Sequence, residues 1–184
     1  MRPKSAPSSS SGHPVLTVDS SGRREWKLDG ELHRDDGPAV RLPDGTTEWW
    51  RHGRPHRVGA PAVESPDGTL EWWVSGRRHR ADGPAVVYPD GSTEWWLRDQ
   101  RHRAGGPAVE TVGGEREWWL NGNRHRLGGP AVERADGTIE FWRDGTQLTD
   151  PGPLIQLDDG SWMYWGVGAV VDGPLRPGSM ADRP

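Results

Sequence analysis

An aromatic residue returns every 23 positions, at Trp26, Trp49, Trp72, Trp95, Trp118, Phe141 and Tyr164, and the text between these positions is nearly the same each time. Repeats open near residues 24, 47, 70, 93, 116, 139 and 162; the second reads TEWWRHGRPHRVGAPAVESPDGT and the third LEWWVSGRRHRADGPAVVYPDGS. A repeat this short has too little apolar surface to fold alone. Neighbours must bury one another's faces, and stability is collective.

Composition decides what does the burying. Only 32% of the 184 residues are hydrophobic, with a single Phe but 12 Trp. Each indole can remove roughly 150–250 Å² from water, so Trp supplies the interior that aliphatic residues do not. The 26 Gly and 17 Pro fall at fixed places in the repeat, where they mark turns and exclude long helices. A net charge of -4 argues against a uniformly basic nucleic-acid binder. The absence of Cys excludes disulfides and thiolate metal or redox chemistry, and fits a reducing, cytoplasmic setting. No stretch approaches the roughly 20 apolar residues of a membrane span, and residues 1–20 lack a signal-peptide core.

Two turn signals sit in each repeat. The first is x-Gly after the Trp pair, at Asp29-Gly30, His52-Gly53, Ser75-Gly76, Asn121-Gly122 and Asp144-Gly145, with Asp99-Gln100 as the departure. It predicts a two-residue type I′ hairpin loop, which needs positive φ at both positions. The second is Pro-Asp-Gly at 43–45, 66–68 and 89–91, continued by Asp136-Gly137 and Asp159-Gly160, which suits a type I turn closed by a Gly bulge. The fold class read from this pattern is all-β: tandem 23-residue β-hairpins forming an elongated twisted antiparallel sheet. Residues 1–12 read as a disordered arm, 13–165 as the array with Val15–Val18 as a capping strand, and 166–184 as a degenerate capping unit and flexible tail.

Counting outward from the first turn sets Trp50 opposite Pro55, Trp49 opposite His56 and Glu48 opposite Arg57. The same count predicts a row of cross-strand ion pairs, Glu25–Arg34, Glu48–Arg57, Glu71–Arg80, Glu94–Arg103 and Glu117–Arg126. It also sets Trp73, Trp96 and Trp119 across from Arg78, Arg101 and Arg124, a cation–π arrangement. Adjacent Trp residues on a strand point to opposite faces, so Trp49, Trp72, Trp95 and Trp118 form one row and Trp50, Trp73, Trp96 and Trp119 the other.

The spacing W-x-x-G-x-x-H, carried by Trp50, Gly53 and His56, by Trp73, Gly76 and His79, and by Trp119, Gly122 and His125, resembles the membrane occupation and recognition nexus (MORN) repeat and its bacterial variants. Trp96 and His102 fit with Gln100 at the turn, Lys27 replaces Trp in the first repeat, and the sixth lacks the His. The resemblance implies hairpin arrays that serve as scaffolds, dimerisation modules or docking surfaces. Phospholipid contact is often proposed for them, and some bacterial variants are antitoxins.

Catalysis needs one asymmetric constellation, whereas this chain repeats the same Glu and Arg with no distinctive nucleophile, so the expectation is no enzyme and no cofactor. The His column, His33, His56, His79, His102 and His125, recurs at intervals of roughly 10 Å, too far apart to share a metal ion with ligand bonds of about 2 Å. These His residues read as structural, each packed across from a Trp and donating a hydrogen bond within the sheet. The expected function is a non-catalytic scaffold that binds a protein partner or itself. Binding is placed on Trp50, Trp73, Trp96 and Trp119 with Arg78, Arg101 and Arg124, while Trp49, Trp72, Trp95 and Trp118 and the His column hold the repeat together. An antitoxin neutralising a partner toxin, and phospholipid or polysaccharide binding through the Trp rows, are the alternatives; nucleic acid is disfavoured.

Overall fold

The computed structural model describes residues 12–149, 154–156 and 162–164, and among these every regular element is a β-strand. The expected arm at 1–12 lies almost wholly outside the described residues, as does the capping unit and tail at 166–184. The chain divides between His79 and Arg80 into two compact bodies. Both are built from the same short antiparallel pairs.

In the first body the sheet runs in the order Val15–Val18, Arg24–Leu28, Val40–Arg41, Thr47–Glu48, Val63–Glu64, Leu70–Glu71. In the second it runs Val86–Val87, Thr93–Glu94, Val109–Glu110, Arg116–Glu117, Val132–Glu133, Ile139–Glu140. Beside these sheets stand separate two-stranded hairpins: Trp50–Arg51 with Arg54–Pro55, Trp73–Val74 with Arg77–Arg78, Trp96–Leu97 with Gln100–Arg101, Trp119–Leu120 with Asn123–Arg124, and Trp142–Arg143 with Thr146–Gln147. The chain therefore leaves the main sheet at the first Trp of each pair and makes a hairpin of its own. Backbone bonds tie consecutive hairpins together, as from Gly122 N to Arg101 O (3.0 Å) and from Arg103 N to Trp119 O (3.1 Å).

Both kinds of turn form among the described residues, outside which the expected Asp159-Gly160 turn lies, and one loop is displaced from its expected place. The first turn has positive φ at both residues, for example 50° and 82° at Asn121 and Gly122, the type I′ signature. The second has Gly45 at φ 100°, with Asp44 Oδ1 accepting from Thr46 N at 2.8 Å. In the fourth repeat the loop is Arg98-Asp99, not the expected Asp99-Gln100: Leu97 pairs with Gln100, and φ is 54° and 66° at Arg98 and Asp99. Asp99 thus occupies the Gly place. Asp tolerates left-handed backbone better than most residues, yet at a cost that Gly does not bear. Asp99→Gly is expected to stabilise the protein by about 0.5–1 kcal/mol, read as a higher urea midpoint at unchanged slope.

Directly paired residues share a face, which gives the main sheet two rows. The inner row alternates Glu and Val: Glu25, Val40, Glu48, Val63 and Glu71 in the first body, and Val86, Glu94, Val109, Glu117, Val132 and Glu140 in the second. Val40 and Val132 are fully buried, as are Ala39, Ala62, Ala85, Ala108 and Ala131 of the Gly/Ala-Pro-Ala-Val segments. The core is thus a file of small aliphatic residues, framed by half-buried Trp rings.

Candidate interaction surface

A Glu buried between valines needs partners, and the repeat supplies two. The indole Nε1 of the second Trp donates to the Glu two residues before it, in Trp50–Glu48 (2.7 Å), Trp73–Glu71 (2.9 Å), Trp96–Glu94 (2.8 Å), Trp119–Glu117 (2.7 Å) and Trp142–Glu140 (2.8 Å). In the Arg-His-Arg triplets at 78–80, 101–103 and 124–126 the first Arg then donates to the same carboxylate, in Arg78–Glu71 (3.2 Å), Arg101–Glu94 (3.3 Å) and Arg124–Glu117 (2.9 Å). The pairings Trp73–Arg78, Trp96–Arg101 and Trp119–Arg124 are those expected from the turn. Each guanidinium lies 4.9–5.2 Å from its ring centroid, within cation–π range.

In the second body this motif becomes continuous. Arg101 lies 5.1 Å from the Trp96 ring and 5.4 Å from Trp119, while Arg124 lies 5.2 Å from both Trp119 and Trp142. Arginine and indole therefore alternate along the hairpins. Glu140 receives Trp142 and Arg134, and these hydrogen bonds hold its carboxyl below the ordinary carboxylate value.

Among the described residues, Glu25–Arg34, Glu48–Arg57, Glu94–Arg103 and Glu117–Arg126 do not form the ion pairs expected from the register. The Arg that follows the His folds over the first Trp of its own repeat, with Arg57 at 3.7 Å from Trp49, Arg103 at 4.2 Å from Trp95 and Arg126 at 3.6 Å from Trp118. Its carboxylate partner is a Glu seven residues on, in Arg57–Glu64 (2.9 Å), Arg103–Glu110 (2.9 Å) and Arg126–Glu133 (2.7 Å). Arg34 and Arg80, whose repeats lack that Glu, turn to Asp36 and Asp82. The same side chain also bonds a proline carbonyl four residues on, as from Arg126 Nη1 to Pro130 O at 3.0 Å. In the third and fifth repeats glycine lies close under it: a Cβ on Gly83 would lie 2.7 Å from Arg80 Cζ, and one on Gly129 would lie 3.0 Å from Arg126 Cζ, whereas the second repeat forms the clasp with Ala60 in that place. These arginines are clasps for the first Trp row.

In the His column the backbone amide donates within the sheet, and the ring Nδ1 of His33 and of His56 accepts. Each His amide bonds the facing Trp carbonyl, from His56 N to Trp49 O at 2.9 Å and from His125 N to Trp118 O at 3.0 Å. The Nδ1 of His33 and of His56 then accepts from the backbone N–H of the next repeat's turn, at His52 (3.3 Å) and Ser75 (3.1 Å). An accepting Nδ1 places the ring proton on Nε2. In the second body, Nδ1 of His102 and His125 meets Asn121 N and Asp144 N at 3.2 Å, together with the Asn121 and Asp144 side chains. Among the described residues, no three His, Asp or Glu side chains converge as a metal-binding group, and no helix is long and apolar enough to cross a membrane.

The inner-row Glu residues are the participants that sequence reasoning misassigned. The Glu-Trp-Trp text carried the cue, since residues two apart on a strand share a face. The chain matches no family model, and no curated protein matches it.

Proposed function

We propose that the protein is a non-catalytic scaffold of MORN-like hairpin repeats that binds a protein partner through the row of second Trp residues and first Arg residues. The observation that supports this reading is the alternation Trp96, Arg101, Trp119, Arg124, Trp142, in which two guanidinium groups stand between three successive half-buried rings of the second body. Aromatic residues and Arg are the side chains enriched at interface anchors. Their carboxylate partners fix them in place before any partner arrives, which lowers the entropy cost of docking.

The test uses Arg101→Lys with Arg124→Lys, which keeps both charges but removes the planar fork that stacks and bonds. A partner that co-purifies with the wild-type protein is identified, purified and recombined with both forms. Binding at least about tenfold weaker for the folded double variant supports the row as the site. Unchanged affinity removes the row from the interface. A monomeric wild-type protein for which no captured partner rebinds in purified form ends the scaffold reading.

A further inference from the structure

The first repeat breaks a charge rule that the others keep. Arg24 and Arg41 are direct cross-strand partners, and like charges so placed repel. Among the described residues no acidic side chain pairs with either; nearby Glu25 is engaged by Arg23 (2.8 Å) and Lys27 (2.7 Å). Both arginines are exposed and line a cleft of about 340 Å³, together with Leu42, Pro43 and Thr47. The fifth repeat shows what an arginine at this register takes. Arg116, in the place of Arg24, is opposite Glu133 with N···O 3.7 Å, and the same Glu133 receives Arg126 at 2.7 Å. The first repeat has Arg41 where that glutamate stands, and Arg34, 4.3 Å over Trp26, turns away to Asp36. This face is one carboxylate short.

We infer that the cleft between Arg24 and Arg41 takes a Glu or Asp side chain from an acidic segment of a protein partner. Two guanidinium groups can each offer a fork of donors to one carboxylate, and seating it replaces their mutual repulsion by attraction. Leu42 and Pro43 give the flanking residues of the segment an apolar wall. The inference rests on the reading of the protein as a partner-binding scaffold and names the chemistry of one partner surface. It is separate from the Trp and Arg row of the hairpins.

The experiment measures anisotropy of a fluorescein-labelled peptide Gly-Glu-Glu-Glu-Gly with the whole protein at low ionic strength, beside the Gly-Gln-Gln-Gln-Gly peptide and inorganic phosphate. The wild-type protein is expected to bind the Glu peptide and not the Gln peptide. Arg41→Glu supplies the missing carboxylate within the chain, so it should weaken peptide binding by at least about tenfold and raise the thermal midpoint. Arg41→Gln, which introduces no new charge, should weaken binding in the same direction and serves if the first variant does not fold. Equal binding of the Glu peptide by wild type and folded Arg41 variants would overturn the inference. So would phosphate binding with no preference for the Glu over the Gln peptide, since the cleft would then be a site for a free oxyanion. Arg101→Lys with Arg124→Lys should leave peptide binding intact, so failure of the cleft and failure of the hairpin row are read separately.

Discussion

Glu117→Ala is expected to destabilise the protein by about 3 kcal/mol, because it removes one partner of a buried, hydrogen-bonded charge pair and leaves the other behind. Glu117 is 8% exposed and lies between Val109 and Val132 in the inner row. Its two oxygens accept from Trp119 Nε1 at 2.7 Å and Arg124 Nη2 at 2.9 Å. Without it the guanidinium keeps its place between the Trp119 and Trp142 rings but has only Glu140, at 3.8 Å, as a counter-charge. Arg124 Nε is already buried without a hydrogen-bond partner, so the site has no spare acceptor to offer. Glu117→Gln retains an acceptor for the indole and loses the charge, so it should cost about half as much. Urea unfolding of the three proteins checks this order, and an alanine variant within about 0.5 kcal/mol of wild type would show that solvent screens the pair.

The same carboxylate shows where the sequence could be read and where it could not. Turn chemistry is local, so the x-Gly pairs gave the hairpin register correctly: Trp50 with Pro55 and Trp119 with Arg124. Counting one residue further than the Trp49–His56 pair assumed a strand that continues through Glu48, and it does not. Glu48 belongs to the main sheet, paired with Val40 and Val63, while Arg57 N turns to the next repeat at Trp73 O. Whether a strand changes sheets depends on neighbouring repeats, and no count within one repeat contains that information. The arginine clasp had a visible signal in the spacing of seven residues from Arg57 to Glu64, Arg103 to Glu110 and Arg126 to Glu133. Its meaning needed the turn between them to be built first. The Arg98-Asp99 loop was legible from spacing alone, because it lies as far beyond Trp96 as Ser75-Gly76 lies beyond Trp73.

Ala108→Leu should be among the most damaging single substitutions, costing about 3 kcal/mol, near the upper end of what overpacking a core does. Ala108 has no exposed surface, and its neighbours hold it from both sides. Its amide donates to Glu117 O at 2.7 Å and its carbonyl accepts from Trp95 N at 2.7 Å. The backbone cannot retreat from a larger side chain without giving up one of these bonds, and each of them joins the segment to a strand that carries a Glu-Trp-Trp module. Ala131 is held in the same way by Glu140 and Trp118. The Gly/Ala-Pro-Ala-Val segment therefore specifies Ala by volume, whereas Ala108→Gly should cost only about 0.5–1 kcal/mol through backbone freedom. Because repeats contact chiefly their neighbours, the damage should be local first. Hydrogen exchange in the leucine variant should quicken most at the amides of Trp95, Ala108 and Trp118, and less at Val132 and Phe141. Uniform loss of protection across the second body would instead mean that its repeats open as one cooperative block.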